Sequence, residues 1–241
     1  MQRFAENVFD LTEMREQIRV FVDRKHAGEI LGDMLLSFRN SNAVLLGIPA
    51  GGLPVAVAIQ KIIGIELDVA VVNKITLPWN TESGYGAVAF DGTCRLNEAM
   101  LAHIRLSEDQ IKEGQVNTLK KVNRRVKRLR KGRPFPVLTD RAVLLVDDGL
   151  ASGFTMLVAA EAVKRAGAAS ITVAVPTGHL ESIHRIVEQV DAIYCPNIRS
   201  GMRFAVADAY ENWSDVTEEA LPGLLEKGRN EAHKTLNSGS D

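Results

Sequence analysis

Cysteine is scarce in this 241-residue chain: only Cys94 and Cys195 are present, far apart in sequence and without metal-type spacing. A disulfide framework is therefore not expected, and a reducing cytoplasm fits. No apolar run approaches the roughly 20 residues of a membrane span. The opening residues, Met1 to Asn7, hold no apolar signal core. Net charge is only −1, so the chain as a whole does not attract polyanions. His26, His103, His184 and His233 have no ligand-like spacing to one another. No internal repeat is visible. These absences lead to the expectation of a cytoplasmic protein, built as one large domain or two small ones, with enough chain to bury a sizeable core.

What the chain does contain is an alternation of strand and helix signals. Asp23 to Phe38 reads as an amphipathic helix with Ala27, Ile30, Leu31, Met34 and Leu35 on one face. Ala43 to Ile48 reads as a buried strand, Val55 to Ile63 as a helix and Leu67 to Ile75 as a second strand. Leu77 to Tyr85 is polar and reads as a long loop. Gly86 to Leu96 predicts two short strands about an Asp91-Gly92 turn. Ser107 to Lys131 reads as one helix, with Val116, Leu119, Val122, Val126 and Leu129 stepping by three and four. Pro134 and Pro136 end it. Then follow a strand from Ala142, a helix to Arg165 with Gly167 past its end, a strand Ile171 to Pro176, a helix Leu180 to Val190 and a strand Ala192 to Cys195. Alternation of this kind implies parallel β-α-β units. Residues 1–226 are expected to form one domain with a helical insertion at about 97–133, and 227–241 a polar, disordered tail.

The sharpest signal runs from Arg141 to Met156. An apolar run ends in Asp147 and Asp148, and a small glycine-bearing loop leads into a helix. Open α/β sheets bind ligands at the carboxyl ends of such strands. The loop Gly149 to Thr155 can offer backbone N–H groups, two hydroxyls and a helix N-terminus to one phosphate. The adjacent carboxylates suit sugar hydroxyls. Together they suggest a ribose 5-phosphate. A generic nucleotide-binding strand–loop–helix is the other reading of the same residues.

This run resembles the phosphoribosyl-pyrophosphate (PRPP) signature of the type I phosphoribosyltransferases, a hydrophobic strand, two acidic residues and a loop of small residues. Gly149 stands where many members carry a branched residue or Ser. The resemblance extends from about Phe21 to Glu219 and points to a subgroup of predicted phosphoribosyltransferases without a named base. It implies an α/β fold: a Rossmann-like parallel sheet flanked by helices, with a small hood and here an inserted amphipathic helix. It also implies displacement of pyrophosphate at ribose C1 by a nitrogenous base or amine. Asp147 and Asp148 would hold the ribose hydroxyls, directly or through metal-bound water. Gly149, Ala151, Ser152, Gly153, Phe154 and Thr155 would hold the 5-phosphate. Mg²⁺ would bridge pyrophosphate and ribose oxygens. The implied partners are PRPP and an unidentified base; from the sequence no membrane partner is expected and nucleic acid is disfavoured, and a homo-oligomer is left open.

Two further segments fit the resemblance. Gly47 to Pro54 lies at the end of another apolar strand, where the family holds pyrophosphate. Gly51 and Gly52 would let backbone N–H groups approach the ligand. Ala50 stands where the subgroup has arginine, so a cation is missing. Lys74 to Ala89 has the length of a lid, and Lys74, Pro78, Asn80, Glu82 and Gly86 match the subgroup's spacing. Lys74 would add positive charge at the pyrophosphate. Tyr85 and Trp79 are candidates to cover a base. A lid excludes water from an oxocarbenium-like transition state. An ordinary surface loop is the alternative. Phe204 to Tyr210 also fits and is expected to close the site, with Asp208 and His179 as weaker candidates.

Nine Lys or Arg residues lie between Lys120 and Arg133, with no acid from Gly114 to Thr139. A solvated helix face balanced by acids elsewhere is the favoured reading, ahead of an RNA or phosphate surface. The runner-up function is a PRPP- or nucleotide-sensing regulator that keeps the fold without catalysis, with this basic helix as its RNA-binding element.

Overall fold

Three of the apolar runs become adjacent strands of one parallel sheet. The computed structural model describes residues 6–237, with the side chains of all but 81, 82 and 231–237. In chain order the elements are β1 (Val8–Phe9), α1 (Arg24–Met34), β2 (Val44–Gly47), α2 (Gly52–Ile63), β3 (Glu66–Val69), β4 (Val72–Leu77), β5 (Asn80–Ala89), β6 (Cys94–Leu96), α3 (Glu98–Leu101), α4 (Glu108–Arg130), β7 (Ala142–Val146), α5 (Phe154–Arg165), β8 (Ser170–Ala174), β9 (Thr177–His179), α6 (Leu180–Ile186), β10 (Ala192–Tyr194), β11 (Asn197–Arg199) and α7 (Leu221–Asn237). The main sheet has six strands in the order β1-β10-β8-β7-β2-β3, every pair parallel. Its central strands β2 and β7 are apolar because both faces are covered, whereas β3 carries Glu66 and Asp68. Val143 and Leu145 of β7 enter one core, with α5 and α6, while Leu144 and Val146 enter the other, with α2 and α7.

Register positions the site. Gly47 pairs with Val146, so β2 and β7 end side by side at the carboxyl edge. The loops that follow them, one glycine-rich and one acidic, are therefore neighbours.

The strand expected over 67–75 is two strands. β3 belongs to the main sheet, and β4 leaves it at Ala70 to form the hood. The hood is an antiparallel sheet β4-β5-β6. The segment expected as a long loop over 77–85 is mostly the tip and first half of the β4–β5 hairpin, with an irregular register between Ile75 and Leu77. The turn at Asp91 and Gly92 forms as expected, with Gly92 at φ 89°. The inserted helix α4 starts at a full capping box between Ser107 and Gln110. Its Val122 and Leu129 are buried, but Val116 is 44 % exposed and lies off the packed stripe. The helix α2 begins at Gly52, earlier than its apolar pattern suggests. Pro54 sits in its first turn, where a missing N–H breaks no intrahelical bond.

The disordered tail expected from residue 227 is a correction. Residues 227–237 continue α7, and only 238–241 lie outside the described residues at this end. Leu221 and Leu225 are buried. A Cβ built on Gly228 would stand 2.4 Å from Leu67 Cδ2, so the helix lies close on β3. Arg229 donates to Asp68 Oδ2 at 2.6 Å, and Arg130 of α4 holds Asp68 Oδ1 at 3.4 Å. A polar composition concealed one apolar face and one buried charge that a distant carboxylate neutralises.

Candidate active site

Asp147 and Asp148 directly follow β7. The backbone N–H of Asp148 donates to Asp147 Oδ1 at 2.9 Å, which turns the two carboxylates together. Arg24 Nε donates to Asp148 Oδ2 at 2.9 Å, and its guanidinium lies 3.9 Å from the Trp213 ring centre. The Tyr210 hydroxyl donates to Asp148 O at 2.6 Å. Burial, and then the neighbouring Asp148 charge, push the Asp147 carboxyl well above the usual carboxylate range, while Lys74 pulls it back. Asp148 is also raised by burial, and Arg24 opposes the rise. Of the two carboxylates, only Asp148 has an arginine in direct contact among the described residues. Arg24 was not legible in the sequence. It follows the helix cap Asp23 and lies 124 residues from its partner, with no motif to mark it.

The loop after the acidic pair is held open. Leu150 N donates to Thr177 O at 2.8 Å, and His179 N donates to Leu150 O at 3.0 Å. From α6, Ser182 Oγ donates to Ala151 O and Arg185 to Ser152 O. Gly153 caps α5 at φ 74°, in the left-handed region. The first-turn N–H groups of α5, Thr155 among them, point out of the helix end toward the loop. Gly149 has a separate reason. A Cβ there would lie 2.4 Å from Val206 Cγ1, so Val206 fills the volume that a branched residue would take. That packing, with the Tyr210 bond, is how 204–210 closes over the site.

Gly51 and Gly52 are needed for a different contact from the one their sequence suggests. A Cβ on Gly51 would stand 1.8 Å from Asp148 Oδ2, and one on Gly52 2.4 Å from Val146 O. The glycines let this loop lie against the acidic pair itself. Pro49 and Ala50 are joined by a cis peptide bond. Ala50 brings no charge, but Arg125 of α4 donates to Pro49 O at 3.3 Å.

The hood closes a cleft of about 870 Å³, whose lining includes Lys74, Arg95, Glu98, Ser152, Thr155 and Arg185. Lys74 is exposed on the hood, lines this cleft and acts electrostatically on Asp147. Pro78 and Trp79 form the hairpin tip, and Trp79 is 62 % exposed. Asn80 exchanges hydrogen bonds with Ser83 and so shapes the turn. The side chain of Glu82 lies outside the described residues. Tyr85 is a correction. It is 1 % exposed, and its hydroxyl faces Gly114 of α4, so it packs the hood on the inserted helix and cannot cover a base. Period two decides this: its side chain takes the core face of β5. His179 is bonded to Gly201 O at 3.2 Å and lies edge-on to Phe204, a structural setting. Asp208 sits 3.9 Å from Arg199. Among the described residues no group of three or more His, Cys, Asp or Glu is placed to hold a metal.

A parallel sheet with an acidic strand end, a glycine cap and a hood is an α/β arrangement of the class that binds ligands at the carboxyl edge of the sheet. The chain matches the phosphoribosyl transferase domain over residues 22–208 and belongs to that family. It is 31 % identical over 210 residues to a "Putative phosphoribosyl transferase" of Mycobacterium tuberculosis, recorded for two strains. That match takes in 87 % of this chain and 47 % of the mycobacterial protein, so the chain spans about half the length of these curated relatives. The crystal structure of TT1426 from Thermus thermophilus is 31 % identical, with a TM-score of 0.70, over 86 % of this chain and 98 % of that one.

Proposed function

We propose that the protein transfers ribose 5-phosphate from PRPP to a nitrogenous base or amine, with release of pyrophosphate. The observation that carries this reading is the juxtaposition at one sheet edge of Asp147 and Asp148, the Gly51-Gly52 loop laid against them and the capped loop 149–155. Asp147 and Asp148 bind the ribose hydroxyls. Ala151, Ser152, Gly153, Phe154 and Thr155 take the 5-phosphate at the α5 N-terminus. Ala50, Gly51 and Gly52 face the pyrophosphate, and Lys74 brings positive charge from the hood. The C1–O bond to pyrophosphate breaks as the C1–N bond forms, and the acceptor nitrogen gives up its proton. The hood hairpin, with Pro78, Asn80 and Glu82, keeps water from competing with the acceptor. A cytoplasmic location belongs to the same proposal; among the described residues no helix is long and apolar enough to cross a membrane.

The donor set fits Mg²⁺ held mainly by the ligand. When both are ionised, a carboxylate pair whose one contacting arginine bonds Asp148 alone carries surplus negative charge, and a cation bound through water would relieve it. Asp147 and Asp148 are the residues that would face it. When bound, Mg²⁺ neutralises charge on the departing pyrophosphate.

Ala50 favours a second reading, in which the fold senses PRPP or a nucleotide without turnover. Titration calorimetry with PRPP and Mg²⁺, followed by pyrophosphate release across a panel of bases and amines, separates the two. Binding with release for one acceptor supports transfer. Binding without release for any acceptor supports the sensor, and no binding removes both.

A further inference from the structure

The positive charge of α4 is concentrated on one stripe. Lys121, Arg124, Arg125 and Arg128 are spaced i, i+3, i+4 and i+7 and so share a face. With Asn73 and Glu218 they line a concavity of about 440 Å³. A second hollow of about 470 Å³ continues it past Asn117, Lys120, Lys121 and Arg124. This stripe is only partly balanced. Glu218 is shared, pairing with Arg125 and lying 3.8 Å from Arg128, which also has Glu219 at 3.6 Å. Lys121 and Arg124 have no acidic partner among the described residues. Among the described residues the buried Arg125 Nε–H has no partner, although its Nη1 reaches Asn73 Oδ1 at 3.2 Å and Pro49 O at 3.3 Å. An unpaired buried donor beside crowded like charges costs stability unless an anion meets them.

This concavity is not the cleft under the hood. Asn73 and Lys74 are consecutive on β4, and consecutive strand residues face opposite ways. Lys74 lines the cleft, and Asn73 lines the basic concavity.

We propose that the α4 concavity is a second binding site, for a small anion carrying two or more phosphates. Arginine forks match phosphate oxygens in pairs, and three of them converge here. The volume suits a small molecule. Among the described residues no aromatic side chain lines either hollow, so the stacking platforms that single-stranded nucleic acid uses are missing. Arg125 touches both this site and Pro49, which makes it a link through which an anion here meets the loop beside Asp148. The proposal does not depend on the transfer reading, because Lys121, Arg124 and Arg128 belong to this concavity alone and only Arg125 also reaches the Pro49 loop.

The test is titration calorimetry of the full chain with inorganic tripolyphosphate at physiological ionic strength. Lys121 and Arg124 are exposed and hold no core contact, so the variant Lys121→Gln with Arg124→Gln is expected to fold. It is expected to bind tripolyphosphate at least tenfold more weakly than wild type. Gly153→Val, which disables the 5-phosphate loop, is expected to bind it as wild type does. Absence of tripolyphosphate binding in wild type overturns the proposal. So does unchanged binding in the double variant. Loss of binding in a Gly153→Val protein with wild-type circular dichroism puts the anion in the cleft and also overturns it. A single-stranded RNA that binds more tightly than tripolyphosphate, and is weakened equally by the double variant, replaces the small anion with nucleic acid.

Discussion

Asp68 and Asp148 each meet arginine inside the molecule, in opposite balance. Asp68 is one carboxylate between two arginines, Arg130 and Arg229, and all three are buried. The extra cation is accommodated by carbonyls and a ring: Arg130 donates to Val69 O at 2.9 Å and lies 4.2 Å from the Phe135 ring centre. At the sheet edge the count reverses: Asp148 pairs with Arg24, and Asp147 beside it has no arginine in contact among the described residues. The first setting is closed and ties α4 and α7 to β3. The second leaves Asp147 without an arginine in contact among the described residues, and its carboxyl is raised by burial and by the Asp148 charge. A buried ion pair that is complete holds structure together, whereas one that lacks a cation is prepared for a ligand that brings one.

The largest effect is expected where the balance is complete. Asp68→Asn leaves two buried guanidinium groups without a counter-charge and is expected to cost about 3–5 kcal/mol of stability, read from urea unfolding. The PRPP affinity of the folded fraction should not change. A loss below about 1 kcal/mol would mean that solvent reaches the pair and that the contrast with the site is false.

Gly153→Val comes next. A branched residue in the left-handed region costs roughly 1–3 kcal/mol, and the loop relieves that strain by leaving its position. Ribose 5-phosphate and PRPP binding are both expected to be lost in titration calorimetry. Retained binding of both by a folded variant would remove the phosphate-cradle assignment.

Replacing Asp147 and Asp148 together by Asn sharpens the comparison from the other side. PRPP affinity should fall at least tenfold, about 1.4 kcal/mol, while stability holds or rises. The sign follows from the raised Asp147 carboxyl. The folded protein keeps a proton that the unfolded chain has already released, so stability falls as pH climbs from the ordinary carboxylate range to the raised folded value. Asp147→Asn should therefore stabilise at neutral pH and be neutral in strong acid. Equal effects at both pH values would show that the charge is screened.

The smallest effect concerns Ala50. Ala50→Arg supplies the cation that this loop lacks and is expected to tighten pyrophosphate binding a few-fold at low salt, less at high salt. No gain at low salt in a folded variant would indicate that Arg125 on Pro49 already fills the role.

Much of the site was legible because its parts are contiguous. The strand end at Val146, the acidic pair and the glycine before α5 lie within a few residues of one another and obey local rules of periodicity and turn chemistry. The hood was less legible. One apolar run served two sheets, and the break at Ala70 has no glycine or proline to mark it. Tyr85 looked available for stacking because it stands in a polar stretch, yet its strand parity turns it toward α4. The tail misled for a related reason: Arg229 reads as a solvated charge until Asp68, 161 residues earlier, is placed beside it.

By itself the sequence determined the alternating α/β plan, the acidic strand end and the phosphate-sized loop, since these depend on neighbours along the chain. Tertiary structure alone decided that Gly51 lies against Asp148, that Val206 takes the space above Gly149, and that Arg24 rather than a residue of the loop answers Asp148. Those outcomes depend on parallel register and on charge compensation between segments more than a hundred residues apart in the case of Arg24. Local preference carries no information about which distant carboxylate a given arginine will find once water has been excluded.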